Sequence, residues 1–171
     1  MITHGDFDHI GNAAYLRRKF DTKIAMHADD AGMAERGDMF WNRKTGNPLF
    51  KMLVPILFWF KKSDRFTPDL GIGEGDNLVE YGLEAKVLSI PGHSKGSVGI
   101  LTADGELFCG DLLTNQEQPI LNGIMDDVAA ANMSIEKLKS QKVHTVYPGH
   151  GEPFSWGAFL DNIRGSVSRV K

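Results

Sequence analysis

Four histidines and three aspartates of this chain fall into four short, glycine-bearing elements. The first is Thr3-His4-Gly5-Asp6-Phe7-Asp8-His9, with His4, Asp6, Asp8 and His9 as candidate ligands within six residues. His4 and Asp6 are two apart, so an extended segment points both to one side. Asp8 and His9 follow where the chain turns into a helix at Ile10. The second element is Pro91-Gly92-His93-Ser94, the third Cys109-Gly110-Asp111, and the fourth Tyr147-Pro148-Gly149-His150-Gly151. Each of the last three follows a run that reads as a strand. A strand, then a small residue, then a ligand is the pattern of strands delivering side chains to one rim of a sheet, where layered α/β folds commonly carry their sites.

Imidazole and carboxylate together suit Zn, Fe, Mn, Co or Ni better than Ca or Mg alone. Seven ligands are too many for one tetrahedral ion. They suit a pair of ions about 3.5–4 Å apart that share a carboxylate and a hydroxide. Such a pair lowers the pKa of bound water, polarises the bond under attack and stabilises an anionic transition state.

The cluster at residues 4–9 resembles the His-x-His-x-Asp-His signature of the metallo-β-lactamase superfamily, and the later elements match that family's order: a His after Pro-Gly (His93), an Asp in a Gly-Asp step (Asp111) and a His in Pro-Gly-His-Gly (His150). The resemblance runs over essentially the whole chain. It implies an α/β fold, the four-layer αββα metallo-β-lactamase sandwich, as a single domain over 1–171 with a lid or dimerisation insert at about 40–70. It also implies one metal held by His4, Asp6 and His93 and a second by Asp8, His9 and His150, with Asp111 bridging. Asp8 would be the catalytic residue that orients the attacking water and handles its proton. The expected cofactor is two divalent ions, zinc first, with iron or manganese as alternatives.

Two departures from the family pattern carry consequences. Asp6 stands where the family usually has its second histidine. One more carboxylate makes the centre less positive, which acidifies its water less and favours harder metals; the family's flavodiiron branch, with Glu at this position, holds iron. The family also places several strands before its first ligand motif, which here starts at residue 3. The sandwich is therefore expected to be N-terminally truncated, with an exposed sheet edge that seeks a partner. A homodimer is expected, with strands or helices exchanged or the Leu49–Phe60 run used as cover.

The function implied is a metal-dependent hydrolase whose metal-bridging hydroxide attacks an ester, thioester, lactone or phosphoester, on the hydroxyacylglutathione hydrolase and lactonase side of the family. Asp111 stands where the lactamase branch usually has Cys or Ser, which argues against β-lactam hydrolysis. The alternative is a truncated, catalytically weak or inactive metal-binding or oligomeric relative.

These side chains need elements to hold them. Ala13, Leu16 and Phe20 give residues 10–20 one apolar helical face. Lys23 to His27 reads as a short strand, and residues 83–90 as a half-buried strand ending at Pro91-Gly92. Residues 98–102, Asp104-Gly105 and Glu106 to Cys109 read as a β-hairpin. Residues 127–141 carry Val128, Ala131, Ile135 and Leu138 at helical spacing, started by Asp126-Asp127. Val143 to Tyr147 is a strand, and 156–168 a helix with Ser155 as N-cap. Interleaved strands and helices point to a layered α/β architecture. Ser94 and Ser97 are placed to hydrogen-bond a ligand; His27 and His144 read as strand or strand-edge residues.

Composition limits the classes. The chain has 171 residues, 42% hydrophobic and 24% charged, with a net charge of −3. That is a globular domain, and its acidic balance argues against a nucleic-acid partner in favour of a small-molecule substrate. A single cysteine excludes an internal disulfide and is expected in the core. The run Leu49 to Phe60 is shorter than the ~20 residues of a membrane span and is interrupted by Pro55. No stable membrane insertion is expected, and with no secretory signal before the first motif the expected location is cytoplasmic.

Overall fold

The computed structural model describes residues 1–44 and 60–168. The Leu49–Phe60 run, apart from Phe60 itself, lies outside the described residues, as do residues 45–59 of the expected insert at about 40–70.

The amino-terminal elements are α1 (Phe7–Ile10), α2 (Ala13–Phe20), β1 (Ala25–Met26) and α3 (Ala28–Arg36). β2 (Leu70–Gly71) pairs in parallel with β1. The expected helix over 10–20 is thus two short helices separated at Gly11-Asn12. Its buried face is Ile10, Ala13 and Ala14, whereas Leu16 and Phe20 are exposed. The expected strand at 23–27 shortens to β1 because the His27 ring accepts the Asp29 N–H and caps α3.

The main sheet contains β3 (Ala85–Ser89), β4 (Val98–Thr102), β5 (Glu106–Gly110), β8 (Thr145–Pro148) and β9 (Phe154–Ser155), in that spatial order. The small pair β6 (Leu113–Thr114) and β7 (Ile120–Leu121) lies between β5 and helix α4 (Val128–Lys139) in sequence. The expected hairpin is present as β4 and β5, with Gly105 at φ +87° in its turn. β8 runs parallel to β5, joined by a crossover that contains α4. Helix α5 (Trp156–Ser168) follows β9, and the Ser155 hydroxyl accepts the Ala158 N–H as expected of its N-cap. Asp127 caps α4 in the same way through Ala130.

Alternation along the strands sorts the core into layers. Leu88, Leu101, Leu107 and Cys109 face Ala131, Ile135 and Leu138 of α4 and Phe159 of α5. Val87, Val98 and Ile100, on the opposite face, pack with Ala25 of β1 and Ile72 just after β2. Ile10, Ala13, Ala14, Met26 and Ala34 then close β1 against the amino-terminal helices. The order is helices, five-stranded sheet, two-stranded sheet, helices: an α/β sandwich with αββα layering. Among the described residues no helix is long and apolar enough to cross a membrane.

Candidate metal centre

Each ligand-type side chain sits where a regular element ends. His4 and Asp6 lie on the extended segment before α1, and Asp8 and His9 lie in that single helical turn. His93 follows β3, Asp111 follows β5, and His150 follows β8. The pairing of β5 with β8 slips between Phe108 and Gly110, a bulge next to the site, and Gly110 has φ +50°. Such a bulge re-aims the chain at a strand end, here toward Asp111. Gly149 is needed for close approach: a Cβ there would lie 2.1 Å from Asp111 Oδ1 and 2.6 Å from His9 Cε1.

The seven residues converge on one place. His93 Nε2 is 3.0 Å from Asp6 Oδ2, and His4 Nε2 is 4.0 Å from the same oxygen. His9 Nε2 is 3.1 Å from Asp111 Oδ1 and 3.6 Å from Asp8 Oδ2. His150 Nε2 is 3.1 Å from Asp8 Oδ2 and 3.4 Å from Asp111 Oδ2. Three trios each bring their ligand atoms within 4.8 Å of one another: His4, Asp6 and His93; Asp8, His9 and His150; and His4, His9 and Asp111. The first trio is buried. The second opens outward, with the Asp8 side chain 58% exposed and that of His150 42%.

The donor atoms fit cations. His4 Nε2, His9 Nε2 and Asp111 Oδ1 are buried without a directed hydrogen bond among the described residues. Three inward-facing polar atoms of this kind are costly unless an ion takes them up. Burial, then the neighbouring His9 and His93, holds the His4 pKa down to about 3, so its ring is neutral and offers a lone pair at ordinary pH. His93 Nδ1 faces the Ile124 carbonyl at 2.7 Å, a contact that orients the ring with Nε2 toward Asp6. Burial opposes ionisation of Asp6, but the His93 hydrogen bond and the Arg43 charge outweigh it and hold its carboxyl at about 2. Asp111 is likewise held below its ordinary value, its contacts with His9 and the other imidazoles outweighing burial.

Two residues that motif reading did not single out support the site. Asp30 of α3 is fully buried and accepts from Gly5 N at 3.0 Å, Gly96 N at 2.8 Å and the Ser94 hydroxyl. It therefore ties the His4–Asp6 segment to the loop that follows His93. Ser94 and Ser97 bond each other and Ser94 also bonds Asp30, not a ligand-type residue as expected, because the loop turns their hydroxyls inward. The second residue is Arg43, whose guanidinium is ion-paired with Asp6 Oδ1 and whose side chain is 6% exposed. Neither stands in a ligand motif, and only the folded chain brings them to the site. His144 precedes β8, at the strand edge as expected.

Residues 1–150 match the family model described as the metallo-beta-lactamase superfamily. The chain is 28% identical over 161 residues to a Bos taurus protein named acyl-coenzyme A thioesterase MBLAC2, covering 90% of this chain and 56% of that one. It is 31% identical over 117 residues to the Haemophilus influenzae hydroxyacylglutathione hydrolase GloC, covering 66% and 48%. Among solved structures, a di-iron-bound form of TTHA1623 is similar with a TM-score of 0.68 and 26% identity, covering 91% of this chain and 71% of that one. The chain spans about half the length of these curated relatives.

Proposed function

The chain belongs to the metallo-beta-lactamase superfamily, and from that premise we propose that it is a metal-dependent hydrolase acting on a small-molecule thioester, with other esters, lactones and phosphoesters as the wider class. The observation that carries this reading is the convergence of the seven residues on one rim, with three buried donor atoms aimed into the same space. His4, Asp6 and His93 would hold one divalent ion, and Asp8, His9 and His150 a second. Asp111 would serve both, since it groups with His4 of one trio and His9 of the other. Zinc is the first choice, with iron or manganese as alternatives. When bound, the pair of ions supplies a nucleophile at neutral pH and polarises the bond under attack.

The chain's own groups account for the rest. The exposed side of the centre, at Asp8 and His150, is where substrate and water arrive. Asp8 Oδ2 stands 3.1 Å from His150 Nε2, at the solvent edge, placed to accept a proton and release it to water. The buried side, at His4 and His93, excludes water and fixes the orientation of the imidazoles. The thioester preference draws on the two relatives named above, a thioesterase and a hydroxyacylglutathione hydrolase.

The test is a hydrolysis panel of acyl-coenzyme A, hydroxyacylglutathione, lactone, phosphodiester and β-lactam compounds on metal-reconstituted protein. The expected result is turnover of a thioester that is abolished by chelation and reduced about 10²-fold or more in Asp8→Ala. No turnover of any member by fully loaded protein would contradict it.

A further inference from the structure

Asp6 sits in the chain where three histidines would leave the buried half of the centre without charge, and its carboxylate does not face that half alone. Oδ2 points inward, 3.0 Å from His93 Nε2 and 4.0 Å from His4 Nε2. Oδ1 points away and is taken by Arg43. The arginine is held in place. The Asn42 side chain donates to the Asp29 carbonyl, the Lys44 N–H donates to Asp126 Oδ2 and the Lys44 ammonium pairs with Asp127, so both flanks of Arg43 are tied to helix-start segments. Arg43 Nε is itself buried without a hydrogen bond among the described residues. A buried guanidinium in contact with one carboxylate contributes a full charge at short range in a medium that screens it poorly.

We propose that Arg43 and Asp6 act as one neutral ligand unit, in which the guanidinium cancels the carboxylate charge so that Oδ2 is offered to the ion at His4 and His93 much as an uncharged imidazole nitrogen would be. Arg43 is a positioning residue and does not touch the ion. The unit makes the two halves of the centre unequal. The His4–Asp6–His93 half carries no net charge of its own, and the Asp8–His9–His150 half carries one negative charge. Without Arg43 the two halves would each carry one negative charge, and the buried half would attract a cation more strongly. This inference rests on the ligand set proposed above.

The experiment is a chelator-competition titration of the full chain with Zn²⁺, read as two separate affinities, for wild type and for Arg43→Gln, Arg43→Met and Arg43→Lys. Circular dichroism selects the variants that are folded. The neutral replacements should strengthen one of the two equivalents by about tenfold or more while moving the other by less than about twofold. Arg43→Lys, which keeps the charge, should retain the wild-type pair of affinities. Equal weakening of both equivalents, or no change in either neutral variant, would overturn the proposal. A wild-type chain that binds no Zn²⁺ would overturn the ligand set itself, and with it the function proposed above.

Discussion

Burial makes His4 sensitive to acid when no cation shares its lone pair. Its pKa is held at about 3, against an ordinary 6.5. Below pH 6.5 the unfolded chain takes up a proton that the folded ring refuses, so folding stability falls as the pH drops from about 6.5 toward 3 and is unaffected by this group above that range. Asp6, held at about 2, adds loss in the same direction as the pH falls from its ordinary 3.8. His9, raised by the Asp111 carboxylate against the effect of burial, offsets part of it. Chelated protein is therefore expected to lose on the order of a few kcal/mol between pH 7 and pH 4. Thermal unfolding across that range measures it, and a flat profile would contradict the buried, neutral state of His4. Asp30 has a different task. Its carboxylate satisfies three donors from two separate loops, so Asp30→Ala would strand Gly5 N–H and Gly96 N–H in the interior. The expected cost is about 3 kcal/mol or more, read from denaturant unfolding, with metal affinity falling as the loops part. At this scale the sequence exposes the ligand-type residues, because histidine and aspartate gathered in glycine-bearing turns after strands point to ligation. It does not expose Asp30 or Arg43, which have no local pattern and owe their roles to chain crossings of 25 and 37 residues.

Among the elements, most of the pattern is legible. The β4–β5 hairpin follows from Asp104-Gly105, and α4 and α5 follow from their apolar spacing and caps. The amino-terminal part is less so. Gly11-Asn12 splits the periodic stretch at 10–20, and small residues, not Leu16 or Phe20, make the contact because α1 and α2 pack close to β1. The parallel pairing of β5 with β8 is not readable either, since it is set by a crossover and not by local alternation. Gly149→Ala drives a methyl group into Asp111 and His9, and is expected to abolish tight metal binding while leaving the secondary structure intact; metal content and circular dichroism together check it. Cys109 lies on the buried face of β5, and burial pushes its thiol up to about 12. Iodoacetamide at pH 8 should leave it unmodified in folded protein and alkylate it fully in denaturant. Rapid labelling of the folded chain would show that the β5–α4 layer opens.

For the molecule as a whole, the layer order accounts for how separate strand ends serve one centre: the sheet presents its strand termini along one rim, and α1 brings Asp8 and His9 across from the opposite layer. Phe108 lies in register with Ile100 and Tyr147, on the sheet face that packs with β1 and β2 further along, yet it is 39% exposed and stacked on Tyr147 at 4.8 Å. The homodimer expected from the sequence would use apolar surface of this kind. Gel filtration with light scattering should give about twice the 18.9 kDa chain mass, and a compact monomer at high concentration would contradict it. Seven side chains gathered from four separate motifs are proposed to form one metal centre. Its most direct test is metal content by plasma mass spectrometry, on the full chain purified without chelator or nickel resin and then reconstituted with Zn, Mn or Fe. Two ions per chain are expected, falling to one or none in His4→Ala and His150→Ala. No bound metal after reconstitution with any of the three would contradict it.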